Sequence, residues 1–335
     1  MTANPDKPDL IFVLSMDTEE EWDWSGPFPE ADFSVANANQ LPEFQSFCDT
    51  LGIRPTYFVD YAIADSAPAS ATMRTIIDAG NCEVGAHLHP WANPPYFGQT
   101  GEYESHVVNL PLEQTEAKLN ALLARLREAF DIVPNAFRTG RWGINGEILE
   151  LLRQKGLGID SSMYPFYRNA YFDCEATTLQ PYWPDFKEPM RPGQQRDVLE
   201  FPPTVGFNGT NPSRMLRRYK AVSQPSFERL RLVGLSWHTR FVRKLYLSPE
   251  VTSGKDMRPL VDFALATKNP MLHMFLHSSS LIEQGTGLIE GPNAFGTIQR
   301  NIAELVAYAQ TRANLTFCTL SEAALLVNHR VGMAA

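Results

Sequence analysis

The feature that most constrains this chain is a regular exchange of strand-like apolar runs with helix-like patterns. Short runs rich in Val, Ile, Leu and Phe recur at 10–16, 56–60, 82–89, 136–138, 157–160, 198–201, 271–277 and 315–320. Between them lie helical patterns. In 112–130, Leu119, Leu122, Leu123, Leu126 and Phe130 fall three or four apart, an apolar stripe one helix face wide. Weaker patterns occupy 41–51, 71–79, 146–155, 257–266, 297–310 and 321–327, several closed by Gly or Asn. Strand followed by helix, repeated, favours parallel strands that close into, or approach, a barrel. The expected fold class is therefore α/β, a distorted (β/α)7-8 barrel. Its 335 residues fit one decorated core, so a single domain is expected over 1–335, with a basic insertion at about 204–250.

Two strand ends carry the chemistry. The run ending Ser15-Met16-Asp17-Thr18-Glu19 places both acids on one side of an extended chain, because side chains alternate with a period of two. In Glu83-Val84-Gly85-Ala86-His87-Leu88-His89 the same alternation puts both imidazoles on one face. Two imidazoles and one carboxylate suffice for a catalytic zinc-type centre that keeps a position open. The spare carboxylate can take a proton. Further polar residues close other runs: Arg138 in Phe137-Arg138-Thr139-Gly140, Asp160 in Gly158-Ile159-Asp160-Ser161-Ser162-Met163-Tyr164, and His277 in Leu272-His273-Met274-Phe275-Leu276-His277-Ser278.

In this order the five segments resemble the five motifs of the polysaccharide deacetylases, the NodB-homology group of carbohydrate esterase family 4, across about residues 10–326. The resemblance implies a NodB-type barrel and a role for each matching position. Asp17 corresponds to the general base, Glu19 and His87 to metal ligands, and Arg138 to the arginine that orients the base. Asp160 corresponds to the acid that holds the catalytic histidine, and His277 to that histidine, the general acid. The motifs depart from the commoner pattern. Thr18 separates the two acids, Trp91 stands where a second histidine four residues on is usual, and Tyr164 replaces a Trp. His89 is accordingly read as the third metal ligand, in a branch with D-x-E and H-x-H metal motifs. One divalent ion is implied, zinc by the ligand types.

The implied reaction is metal-dependent hydrolysis of a C–N bond, removing an N-acetyl or N-formyl group from an amino sugar of a glycan, a glycolipid or a nucleotide- or lipid-linked precursor. Trp22, Trp24, Trp91 and Trp142 lie close to the first three motifs, and their faces suit the apolar C–H surfaces of sugar rings. Two other readings stand beside this one: hydrolysis of a small linear or cyclic amide, and a glycan-binding protein without turnover. His273 is read as a hydrogen-bonded core residue, and His106, His238 and His329 as loop or surface residues.

Composition bounds the partners. The formal charge of -9 argues against general nucleic-acid binding. Within the insertion, however, Arg214, Arg217, Arg218, Lys220, Arg229, Arg231, Arg240, Arg243 and Lys244 are interspersed with apolar residues. This pattern allows peripheral contact of the 214–244 segment with an anionic membrane or with phosphate. The four cysteines are scattered with no CxxC pair, as buried thiols in a reducing compartment are. With no secretory pattern in the first residues, cytoplasmic residence is expected.

Overall fold

A computed structural model describes residues 4–24, 26–209, 211–224, 234, 236, 238–289 and 291–332. Its frame is one curled parallel sheet. Strand β1 (Asp9–Thr18) is followed by helix α1 (Leu41–Leu51), β2 (Thr56–Val59), α2 (Tyr61–Asp65), α3 (Ala67–Asp78) and β3 (Glu83–Leu88). Next come α4 (Leu112–Phe130), β4 (Ala136–Thr139), α5 (Gly146–Gln154), β5 (Ile159–Asp160) and β6 (Leu199–Glu200). A hairpin of β7 (Val205–Phe207) and β8 (Lys244–Tyr246) encloses α6 (Pro212–Val222). The chain ends with α7 (Gly254–Ala266), β9 (Met271–His277), α8 (Ala294–Arg312), β10 (Asn314–Phe317) and α9 (Leu320–Gly332).

The order β10-β1-β2-β3-β4-β5-β6, with β9 on the other edge of β1, is parallel at every pairing. β1 is central: its first half pairs with β10, its second half with β2, and Ile11–Asp17 with β9. Between β6 and β9 irregular backbone bridges the ring. Thr204 donates its N–H to the His273 carbonyl at 2.9 Å, and Phe275 donates to the Leu247 carbonyl at 3.1 Å. Part of the predicted insertion is thus woven into the seam.

The pleat sorts β1 into two layers. Leu10, Phe12, Leu14 and Met16 pack under the helices, whereas Ile11 and Val13 join Phe58, Ala136, Ile159, Leu199, Phe201 and Met271 in an inner cluster. Residues of the same parity as Ile11 and Val13 continue inward: Ser15, Asp17 and Glu19. On β9 the same count carries Met271 to His273, Phe275 and His277. The inner layer is therefore apolar near the strand starts and polar at their C-terminal ends, where parallel barrels place their chemistry.

The helices begin and end as local chemistry demands. Asn145 caps α5 by accepting the Ile148 N–H, and Asp60 caps α2 by accepting that of Ile63. α1 ends at Gly52 in the left-handed region. Helix α6 turns its apolar side inward, Met215, Leu216 and Tyr219 packing with Phe207 and Val242, so that side is covered by protein. Of the cationic residues, Lys220 pairs with Glu175 and Arg243 with Asp256. Arg229, Arg231 and Trp237 lie outside the described residues. Among the described residues no helix is long and apolar enough to cross a membrane.

Candidate metal centre and active-site cleft

Three ligand atoms converge where β1 and β3 end. Glu19 Oε2 stands 3.2 Å from His87 Nε2 and 3.3 Å from His89 Nε2, and all three residues are buried. The opposite ring nitrogens are already engaged. His87 Nδ1 lies 3.1 Å from the Arg138 carbonyl, which can only accept, so Nδ1 carries the hydrogen there. His89 Nδ1 lies 3.0 Å from Glu20 Oε2. Backing of this kind fixes ring orientation and leaves Nε2 for an ion. Gly140 is what lets His89 approach, since a Cβ there would come within 2.0 Å of the ring.

The donor set fits a divalent ion. Bonds of about 2.0–2.2 Å at tetrahedral angles hold neighbouring ligand atoms about 3.3–3.5 Å apart, close to the two separations found. Charge agrees with distance: burial holds His89 below its usual pKa, so its ring is neutral. With Nδ1–H on Glu20, a lone pair then faces the Glu19 carboxylate, an approach that is favourable only with positive charge between them.

Beneath His89 lies a second acidic layer that the alternation of residues did not reveal. Glu20 accepts from Trp91 Nε1 at 2.6 Å, and its backbone N–H reaches Asp60 Oδ2 at 3.4 Å. Burial with the Glu19 charge raises Glu20 to about 7, and burial with the Glu20 charge raises Asp60 well above its ordinary value. Both carboxyls are thereby pushed toward the protonated form. The signal available was Glu20 itself, directly after Glu19, but the strand ends at Thr18 and its period no longer constrains the direction of Glu20.

Asp17 and His277, the residues expected as base and acid, flank this centre. Arg138, fully buried, donates from Nη1 to Asp17 Oδ1 at 2.5 Å. Nη2 donates to Ser15 Oγ and Ser161 Oγ, and Nε to the Ser161 carbonyl. Burial pushes the Asp17 carboxyl up, but Arg138, His87 and His277 outweigh it and hold the group below its usual range. His277 Nε2 stands 3.8 Å from Asp17 Oδ2. Its Nδ1 lies 2.7 Å from Glu250 Oε1, and its backbone N–H donates to Glu250 Oε2. Burial opposes the imidazolium, yet Glu250, Glu19 and Asp17 raise His277 to about 10.

Asp160 is therefore not where the sequence placed it. The partner of His277 is Glu250, from the loop after β8. Pleat parity explains the difference, because Ile159 belongs to the inner cluster and Asp160 points the other way. There it accepts from Ser162 Oγ at 2.6 Å and lies in register with Glu200. Burial pushes both acids up, Glu200 well above its ordinary value. His273 is the core histidine expected, Nε2 being 2.8 Å from Ser15 Oγ.

A cleft of about 470 Å³ opens over the centre. Trp22, Trp24 and Trp142 line it, Trp24 meeting the His277 ring edge-on at 4.9 Å and Trp142 stacking on Tyr164 at 4.7 Å. Trp91 does not line it. It is fully buried and stacked on His89 at 4.2 Å, so the substrate role expected for it gives way to support of the His89 ring. The loop carrying Trp91 is clamped by buried Lys118, which donates to the carbonyls of Pro90, Asn93 and Pro95. His106 lies in a loop, as expected, but not at the surface: only 2% exposed, it lines the cleft.

No family model matches the chain, and no curated protein matches it. Solved structures do. A Mycobacterium smegmatis protein assigned as a polysaccharide deacetylase aligns over 98% of this chain and 93% of its own, at 13% identity and a TM-score of 0.57. A Parabacteroides distasonis protein assigned as a glycoside hydrolase/deacetylase aligns over 97% and 73%, at 11% identity and 0.58. Puue allantoinase aligns over 97% and 94%, at 17% identity and 0.50. The fold is thus that of the NodB-homology deacetylase group, a distorted (β/α) barrel.

Proposed function

We propose that this protein is a metal-dependent amidohydrolase of the polysaccharide deacetylase type, removing an N-acetyl or N-formyl group from an amino sugar in the cytoplasm. The observation that carries the reading is a pair of oppositely tuned groups beside a convergent donor set. Asp17 is kept ionised and His277 protonated, both facing the Glu19–His87–His89 cluster. Environments that drive two titratable groups apart mark a base and an acid.

Glu19, His87 and His89 would hold the ion, zinc by their donor types. When bound, it supplies Lewis acidity toward the amide oxygen and makes water more acidic. Asp17 accepts the proton of the attacking water, its second oxygen being held by Arg138. His277 hands its proton to the departing amine, and Glu250 keeps the ring oriented and charged. Trp22, Trp24, Trp142 and Tyr164 exclude water and offer faces to a ring. The four cysteines, all free, agree with a reducing compartment.

Acetate and formate release from a panel of N-acylated amino sugars tests the proposal. Activity is expected to vanish on chelation, return with zinc, and be lost in Asp17→Asn. A zinc-loaded protein that releases neither acid overturns it, and turnover of a cyclic ureide in place of the sugars moves the assignment to small amides.

A further inference from the structure

Beside the metal centre the cleft wall holds polar groups that the proposed chemistry leaves unused. His106 is nine-tenths buried or more, yet neither ring nitrogen makes a well-formed hydrogen bond, the Glu102 carboxylate and the Arg141 backbone lying near the ring without closing one. The closest carboxylate oxygen, Glu102 Oε1, is 3.8 Å from Nε2. Its ring lies tilted on Tyr171, centroids 4.5 Å apart. Burial, with the Arg141 charge, lowers its pKa to about 4, so the ring is a neutral imidazole presenting one donor and one acceptor. A buried polar group without good partners is destabilising, a cost removed when a ligand supplies them.

A second observation is independent of the first. Arg141 and Trp142 both adopt φ of +61°, followed by Gly143 at +81°. Two successive non-glycine residues in the left-handed region are strained. Gly143 is required besides, because a Cβ there would meet the Phe172 ring at 2.6 Å. This turn directs Arg141 and Trp142 to the cleft. Arg141 makes a two-pronged pair with Glu102, both contacts 2.9 Å, and donates to Ser105 Oγ at 2.6 Å. Its guanidinium lies 5.7 Å from the Trp22 ring, and Trp22 lies 6.0 Å from the His89 ring. The cluster is thus one aromatic side chain from the metal centre.

Building on the reading above, we propose that Glu102, His106 and Arg141 form a subsite for the hydroxyl groups of a neutral sugar ring adjacent to the residue being deacylated. A hydroxyl both donates and accepts, matching the two edges of a neutral imidazole and the alternating Glu102 and Arg141 groups. An anionic group matches poorly, since Glu102 already neutralises Arg141. The substrate class that follows is an oligosaccharide, with no phosphate at this position.

Calorimetric titration of zinc-loaded Asp17→Asn protein with N-acetylchitotetraose tests the subsite without turnover. Adding His106→Phe, which keeps the stacking on Tyr171, is expected to weaken binding about ten- to hundredfold. Adding His106→Gln, which keeps a donor and an acceptor, is expected to hold it within about fivefold. Glu102→Gln, freeing the Arg141 charge, is expected to improve binding of N-acetylglucosamine 1-phosphate, which the Asp17→Asn parent binds more weakly than the tetraose. Unchanged affinity in His106→Phe, equal loss in the Phe and Gln variants, or a parent that prefers the phosphate each overturn the proposal. Saccharide binding that depends on His106 without hydrolysis sinks only the enzymatic reading, and hydrolysis without such binding sinks only the subsite.

Discussion

The Asp17 and His277 sides of the centre, the proposed base and acid, are built by opposite means. Asp17 and Arg138 project from strand ends into the same inner layer, and the guanidinium is fastened by Ser15 and Ser161 of that layer. His277 also ends a strand, but its carboxylate partner comes from a loop. Asp17 thus owes its charge to the sheet itself, while His277 owes its charge to a chain segment that the sheet does not determine. Rigid strands tolerate little adjustment, whereas loop-borne partners can be exchanged without disturbing the core.

The comparison breaks most visibly at Arg138. Arg138→Met removes the hydrogen-bonded partner of buried Asp17 and leaves it only the His277 ring at 3.8 Å, and unfolding in urea is expected to show a loss of about 3–5 kcal/mol; a loss below about 1 kcal/mol means the sheet does not depend on the pair. His277→Asn is expected to lower turnover about 10²–10⁴-fold at unchanged zinc content, and a smaller drop removes His277 as the acid.

Glu250→Gln sharpens the contrast through pH. The wild-type rate should fall on the alkaline side as His277 loses its proton near 10, and in the variant that limb moves down by about one unit or more. The stability effect has a definite sign. A histidine raised from 6.5 to about 10 contributes fully below 6.5, and the contribution disappears as pH rises through 10. Wild type should therefore lose more stability between these pH values than Glu250→Gln. Asp160→Asn is the smallest change, with an alkaline limb expected to stay within about 0.3 units of wild type because Asp160 bonds Ser162 and not His277. If Asp160→Asn shifts the limb as far as Glu250→Gln, the loop carboxylate is not the one that tunes the acid.

What was legible in the sequence follows the pleat. Asp17, Glu19, His87 and Arg138 are found by counting in twos along strands, and His273 and His277 by the same count on β9. Asp160 was misplaced by ignoring that count: with Ile159 inward, its neighbour faces outward. Glu250 carried no pattern, being one acid in an irregular stretch 27 residues before its partner. His106 reads as a loop or surface residue because no period runs through the segment between β3 and α4; it does lie in that loop, but buried. Its burial depends on Tyr171 and Phe172, which arrive from another loop.

Sequence alone determined the order of strands and helices and the set of side chains gathered at the strand ends, because both follow from periodicities local to the backbone. Tertiary structure alone decided which carboxylate charges His277, which tryptophan supports a ring instead of lining the cleft, and where His106 lies. Those outcomes depend on loops meeting through space, and the distance between two loops is recorded in no local period.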